Sequence, residues 1–242
     1  MVIAVNSDDP DMVALVALTD LPQNLQLYMT DNAWTGTSFR TNEGTLRLTI
    51  TEEDGIAAGT IFGYRYNDSG TTLLLHGNDW ESVGGQFALA EAGDTIILYT
   101  TMTNDDEEII IPVSAFSYSG KWKESGLTQD EYGTDSSALP ASLVSVGAIA
   151  IPHNVTDNHY YKYVGSVQGD KAVLQMELQK ESNWEGSNSN ELSPILASTK
   201  FLVTGKETVS TSSAPIEIRR GCEWVVQTMI VLLSLHAAPY GT

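Results

Sequence analysis

Apolar residues in this chain come in short runs, and Gly, Asn or Asp ends nearly every run before it reaches helical length. In residues 46–50, Leu46, Leu48 and Ile50 fall on one side and Arg47 and Thr49 on the other. Alternation of this kind has the period of a half-buried antiparallel strand. Comparable runs lie at 13–18, 25–29, 60–66, 71–75, 86–89, 95–101, 108–113, 115–118, 144–150, 160–164 and 199–203. The opening residues, Val2-Ile3-Ala4-Val5-Asn6, also begin as a strand would. Asp54-Gly55, Asn67-Asp68-Ser69-Gly70, Gly84-Gly85 and Gly93-Asp94 stand between the runs and supply the positive-φ positions that tight turns need. Many short strands at this spacing predict an all-β fold, an antiparallel sandwich of the immunoglobulin-like or lamin-tail-like kind.

One segment breaks the rhythm. No Gly or Pro interrupts the stretch between Asp170 and Trp184, and Leu174 and Leu178 share a face at i and i+4. With Asp170 placed as an N-cap, the spacing predicts one short helix near 170–182, packed on a sheet edge or closing one end. The sandwich is expected over residues 1–205. A linker and an apolar tail are expected over 206–242, where the run 224–235 follows Arg219 and Arg220. Crossing a bilayer takes about 20 apolar residues, so this shorter run predicts no membrane span.

Composition narrows the function. With 42% apolar residues the chain can bury a real core. Against 31 Asp and Glu stand only 12 Lys and Arg, a formal net charge of -19. A phosphate backbone needs a basic footprint, so nucleic-acid partners are excluded. Cys222 is the only cysteine, which rules out an intrachain disulfide framework. The N-terminus has neither the basic n-region nor the apolar h-region of a secretory leader.

Chemistry-bearing motifs are scarce. The GxSxG elbow, HExxH, the Walker loop and GxGxxG are all absent from the sequence. His153, Asp157 and His159 share one loop and offer two imidazoles and a carboxylate to a transition metal. Asp8, Asp9 and Asp11 form an oxygen-rich loop of the kind Ca²⁺ uses, without the D-x-D-x-D-G spacing of a dedicated site. A second acidic stretch, Asp105 to Glu108, reads as a solvated loop. No cofactor is expected, and Ca²⁺ is the ion the acidic loops would suit. Trp34, Trp80 and Trp184 each follow a turn former. Such tryptophans either fold over the turn and cover the end of the sandwich or serve in ligand binding and self-contact.

A longer set of motifs is more specific. It comprises Asn6-Ser7-Asp8-Asp9-Pro10-Asp11, Asp20-Leu21-Pro22, Leu27-Tyr28-Met29-Thr30-Asp31-Asn32-Ala33-Trp34 and Glu43-Gly44-Thr45. Gly93-Asp94-Thr95, Ser137-Ala138-Leu139-Pro140, Asp157-Asn158 and Asn183-Trp184-Glu185-Gly186 follow in order. Over roughly residues 3–204 this series resembles a β-sandwich module of bacterial secreted and surface proteins, distantly similar to the lamin tail. It also resembles the pyrenoid shell proteins of diatoms, which tile into a protein sheet around the Rubisco condensate of the chloroplast. Neither group brings catalytic residues. The resemblance implies a non-enzymatic protein that self-assembles into a sheet or shell through strand edges and loop ends. It further implies residence at the chloroplast pyrenoid periphery, with a targeting peptide missing from this sequence. The alternative is a secreted or cell-surface module for adhesion or for binding Ca²⁺ or carbohydrate.

Overall fold

Pairing sorts the period-two runs into two sheets. A computed structural model describes residues 1–8, 10–66, 74–132, 136–144, 147–151, 159–188 and 199–205; the expected tail at 206–242 lies outside them. The first sheet contains β1 (Val2–Asn6), β2 (Met12–Val16), β5 (Ile61–Arg65), β10 (Tyr160–Tyr163) and β12 (Trp184–Ser187), in the order β12-β10-β1-β2-β5. The second contains β3 (Gln26–Thr30), β4 (Thr45–Thr49), β6 (Glu81–Gly84), β7 (Thr95–Asn104), β8 (Glu107–Ser117) and β9 (Ala148–Ala150), in the order β6-β4-β3-β7-β8-β9. Within these two sheets every pairing is antiparallel except β8 with β9. The chain passes repeatedly from one sheet to the other.

The core explains the composition of the strands. All five residues of β1 and of β2 are buried, as expected of central strands covered on both faces. In β4 only Leu46 and Leu48 are buried, the half-buried pattern that the sequence predicts. Val5, Val13 and Leu15 join Met29, Leu48, Ile96, Leu98 and Phe116 in one apolar cluster shared by both sheets. Aromatic rings cross the interior: Phe116 lies 4.8 Å from Trp184, and Tyr118 lies 5.3 Å from Tyr161. Such ring pairs add specific geometry to the area they bury.

The helix is α2 (Lys171–Leu178), and the Asp170 carboxylate accepts the Val173 N–H at 2.8 Å, as an N-cap should. Leu174 and Leu178 point into the core. The helix is shorter than the expected 170–182 because side chains claim its last carbonyls. Asn183 Nδ2 donates to Glu177 O at 2.9 Å, and Trp184 Nε1 donates to Leu178 O at 3.0 Å. A parallel pair, β11 (Gln168–Asp170) and β13 (Leu202–Thr204), flanks α2. A further single turn, α1 (Gln129–Tyr132), was not expected. The Glu131 carboxylate accepts from Thr128 N at 2.7 Å and from Thr128 Oγ1 at 2.8 Å, the glutamate half of a capping box in the order Thr128-Gln129-Asp130-Glu131.

Several strand expectations need correcting. Residues 86–89 join no ladder; the Ala88 and Leu89 amides go to carboxylates instead. The runs 108–113 and 115–118 are one strand, β8, opposite a register shift at Leu98 and Tyr99. Of 144–150 only Ala148–Ala150 pairs. Residues 71–73 lie outside the described residues, and Leu75 makes a single parallel bridge to Phe62.

Candidate functional site

Three aspartates converge on the segment that follows β6. Asp31 accepts the Ala88 N–H at 2.9 Å, Asp11 the Leu89 N–H at 3.0 Å, and Asp94 the Ala90 N–H at 3.1 Å. Consecutive backbone donors are thus satisfied by carboxylates, two from distant points of the chain and one from four residues on, which replace a β-ladder. The second oxygen of Asp31 accepts the Gly44 N–H at 2.7 Å. Gly44 is required here, because a Cβ would stand 2.0 Å from Phe87 N. Burial pushes the Asp31 carboxyl up to about 6, against the opposing pull of its backbone hydrogen bonds. Burial also holds Asp94 well above the ordinary carboxylate range.

The same segment carries Glu91, and Glu91 meets two residues singled out in the sequence. Ser7 N donates to His159 O at 2.9 Å, one step beyond the Asn6–Tyr160 pair that joins β1 to β10. That register sets Asp8 beside His159. Asp8 Oδ2 lies 3.6 Å from His159 Nδ1, and Glu91 Oε2 lies 3.6 Å from His159 Nε2. One ligand atom from each of the three falls within 4.8 Å of the others. Of the remaining metal candidates, Asp11 accepts the Leu89 N–H, while Asp9, His153 and Asp157 lie outside the described residues. Sequence reasoning missed Glu91 because only the tertiary fold carries it to His159.

The tryptophans divide. Trp80 and Trp184 are 8% and 9% exposed and donate their indole N–H groups to Gly63 O and Leu178 O, so they are core residues with little surface to offer. Trp34 is half-buried and heads a row of rings: Trp34 to Phe39 at 4.9 Å, Phe39 to Tyr99 at 5.0 Å, and Tyr99 stacked on Tyr28 at 5.0 Å.

The longest hairpin leaves the sheet. Strand β3 pairs with β7 only at Ile97, Leu98 and Tyr99, whereas β7 and β8 pair from Thr95–Ser117 out to Asn104–Glu107. Residues 101–104 and 107–110 therefore form a two-stranded ribbon, and no other described strand pairs with either of its outer edges. Asp105 and Asp106 close it with φ of 50° and 67°, the two positive angles of a type I′ turn. Ile109 is 40% exposed and Ile110 and Ile111 are partly exposed. A proline inside a ladder turns its nitrogen away from the neighbouring strand. Pro112 therefore offers no N–H to a strand arriving from outside, and the usable edge of β8 is 107–111.

Comparison with family models, with curated proteins and with solved structures finds no match. Among the described residues no helix is long and apolar enough to cross a membrane.

Proposed function

We propose that this chain is a non-enzymatic structural module that assembles with copies of itself, and that the projecting β7–β8 ribbon is its first contact. The ribbon carries the reading. A two-stranded ribbon is marginal alone in water, and this one holds its isoleucines at an unpaired edge. A second copy is the occupant the sequence fits. If two 107–111 edges pair antiparallel about a two-fold axis at Ile109, Glu107 faces Ile111 and Glu108 faces Ile110. No acid then opposes an acid, and the apolar residues of both copies line the seam.

The resemblance to diatom pyrenoid shell proteins supports an extended sheet as the end product, at the chloroplast pyrenoid. Strand β6, at the edge of the six-stranded sheet, gives a second lateral surface: all four of its residues are exposed, Val83 among them. Sedimentation velocity and negative-stain microscopy over a concentration series test the reading. Wild-type protein is expected to associate and Ile109→Lys to remain monomeric with an unchanged unfolding midpoint. A wild-type chain that stays monomeric at every concentration rejects it.

One observation favours a second reading, a surface module that binds carbohydrate. Trp34, Phe39 and Tyr28, backed by the buried Tyr99, offer half-buried rings of the kind that pack on sugar rings. A glycan array, with Trp34→Ala as control, separates the two.

A further inference from the structure

We infer that Asp8, Glu91 and His159 form a binding site for a divalent transition ion, zinc or manganese in class, with its remaining coordination positions open to solvent. One imidazole and two carboxylates suit such ions, whereas Ca²⁺ takes oxygen ligands alone. Two carboxylates with a neutral imidazole also match a dication in charge.

The backbones that carry the ligands are fixed before any ion arrives. Asn6 Oδ1 accepts the Asp8 N–H at 2.9 Å, and Asn6 Nδ2 donates to Pro10 O at 3.0 Å, which shapes the β1–β2 turn. Ser7 N and Oγ both reach His159 O, at 2.9 and 3.4 Å, and tie that turn to the start of β10. Glu91 follows Ala90, whose N–H is held by Asp94 and whose carbonyl accepts from Tyr118 Oη at 3.0 Å. Ligands at about 2.0–2.1 Å from a tetrahedral ion stand about 3.3 Å apart. An ion takes only one ring nitrogen of His159: the carboxylate facing that nitrogen stands 3.6 Å from it, and the third ligand atom, within 4.8 Å of both, reaches that value by a shift of about 1.5 Å. The Asp8 and Glu91 side chains are 48% and 60% exposed, so the site opens to solvent on the carboxylate side. The competing arrangement is a protonated imidazole bridging two carboxylates with no ion.

Calorimetric titration of the full chain with Zn²⁺ and Mn²⁺, together with the visible spectrum of added Co²⁺, decides between them. The inference expects one saturable site and a rise in unfolding temperature that chelator reverses. His159→Gln, Asp8→Asn and Glu91→Gln should each weaken binding about 10–100-fold, while His76→Gln should not. The Co²⁺ spectrum should lose its d–d bands in His159→Gln. Wild-type affinity in the His159→Gln, Glu91→Gln double variant would place the ion elsewhere and overturn the inference. Absence of any heat or spectral change up to millimolar metal would overturn it equally, in favour of the bridged imidazole.

Discussion

Asp31 is a carboxyl whose proton is held more tightly in the folded chain than in the unfolded one. Its folded value of about 6 stands above the ordinary 3.8, so the folded state retains the proton over that window. Stability from this group is therefore complete below pH 4 and is lost as pH rises towards 6, by about 3 kcal/mol at about 1.4 kcal/mol per unit. Asp94 shifts in the same direction. Denaturant midpoints measured from pH 4 to 7 should fall with pH, and Asp31→Asn should flatten the slope. A second residue-scale outcome concerns Gly44: Gly44→Ala sets a methyl against Phe87 N and should cost about 3 kcal/mol or more, read from thermal unfolding. At this scale the sequence is a poor guide. The motif Thr30-Asp31-Asn32 reads as a strand-ending turn, and nothing local says that the carboxylate reaches Ala88, 57 residues away. The pairing of Asp8 with His159 is legible only once the β1–β10 register is known, and Glu91 enters from a third segment.

Elements were easier to read, because a strand or cap depends on neighbours in the chain. The alternation in 46–50 became β4, and Asp170 capped α2 as its position implied. Replacing the cap, Asp170→Ala, should cost about 1 kcal/mol of helix stability in a chemical-denaturation measurement. Failures followed composition. Strand β6, Glu81-Ser82-Val83-Gly84, has no apolar alternation and forms because β4 offers it a ladder. Residues 86–89 have the alternation, but Ala88 and Leu89 surrender their amides to aspartates. Asp105-Asp106 reads correctly as solvated, yet the same acids make the type I′ turn, since Asp tolerates positive φ. Asn-Gly suits that turn better. The double change Asp105→Asn, Asp106→Gly should raise stability by about 0.5–1 kcal/mol, with an unchanged denaturant slope.

At the scale of the whole molecule, charge and edges act against each other. A net charge of -19 repels copies at long range, whereas in the proposed assembly the ribbon and β6 would attract at contact. Salt screens the first and leaves the second, so raising ionic strength from about 0.05 to 0.5 M should strengthen association in sedimentation runs. The all-β architecture was visible in the spacing of turns; the projection of one hairpin beyond its sheet was not, because it reflects where β3 stops. Pro112 adds a limit of its own. In the proposed assembly it would confine a visiting strand to five residues around Ile109 and so make the seam saturable, with two molecules filling it and nothing left over for a third. Growth into a plate then needs an independent joint, so particle mass should pause at twice the chain before climbing, and a lesion at β6 should freeze the population at that pause.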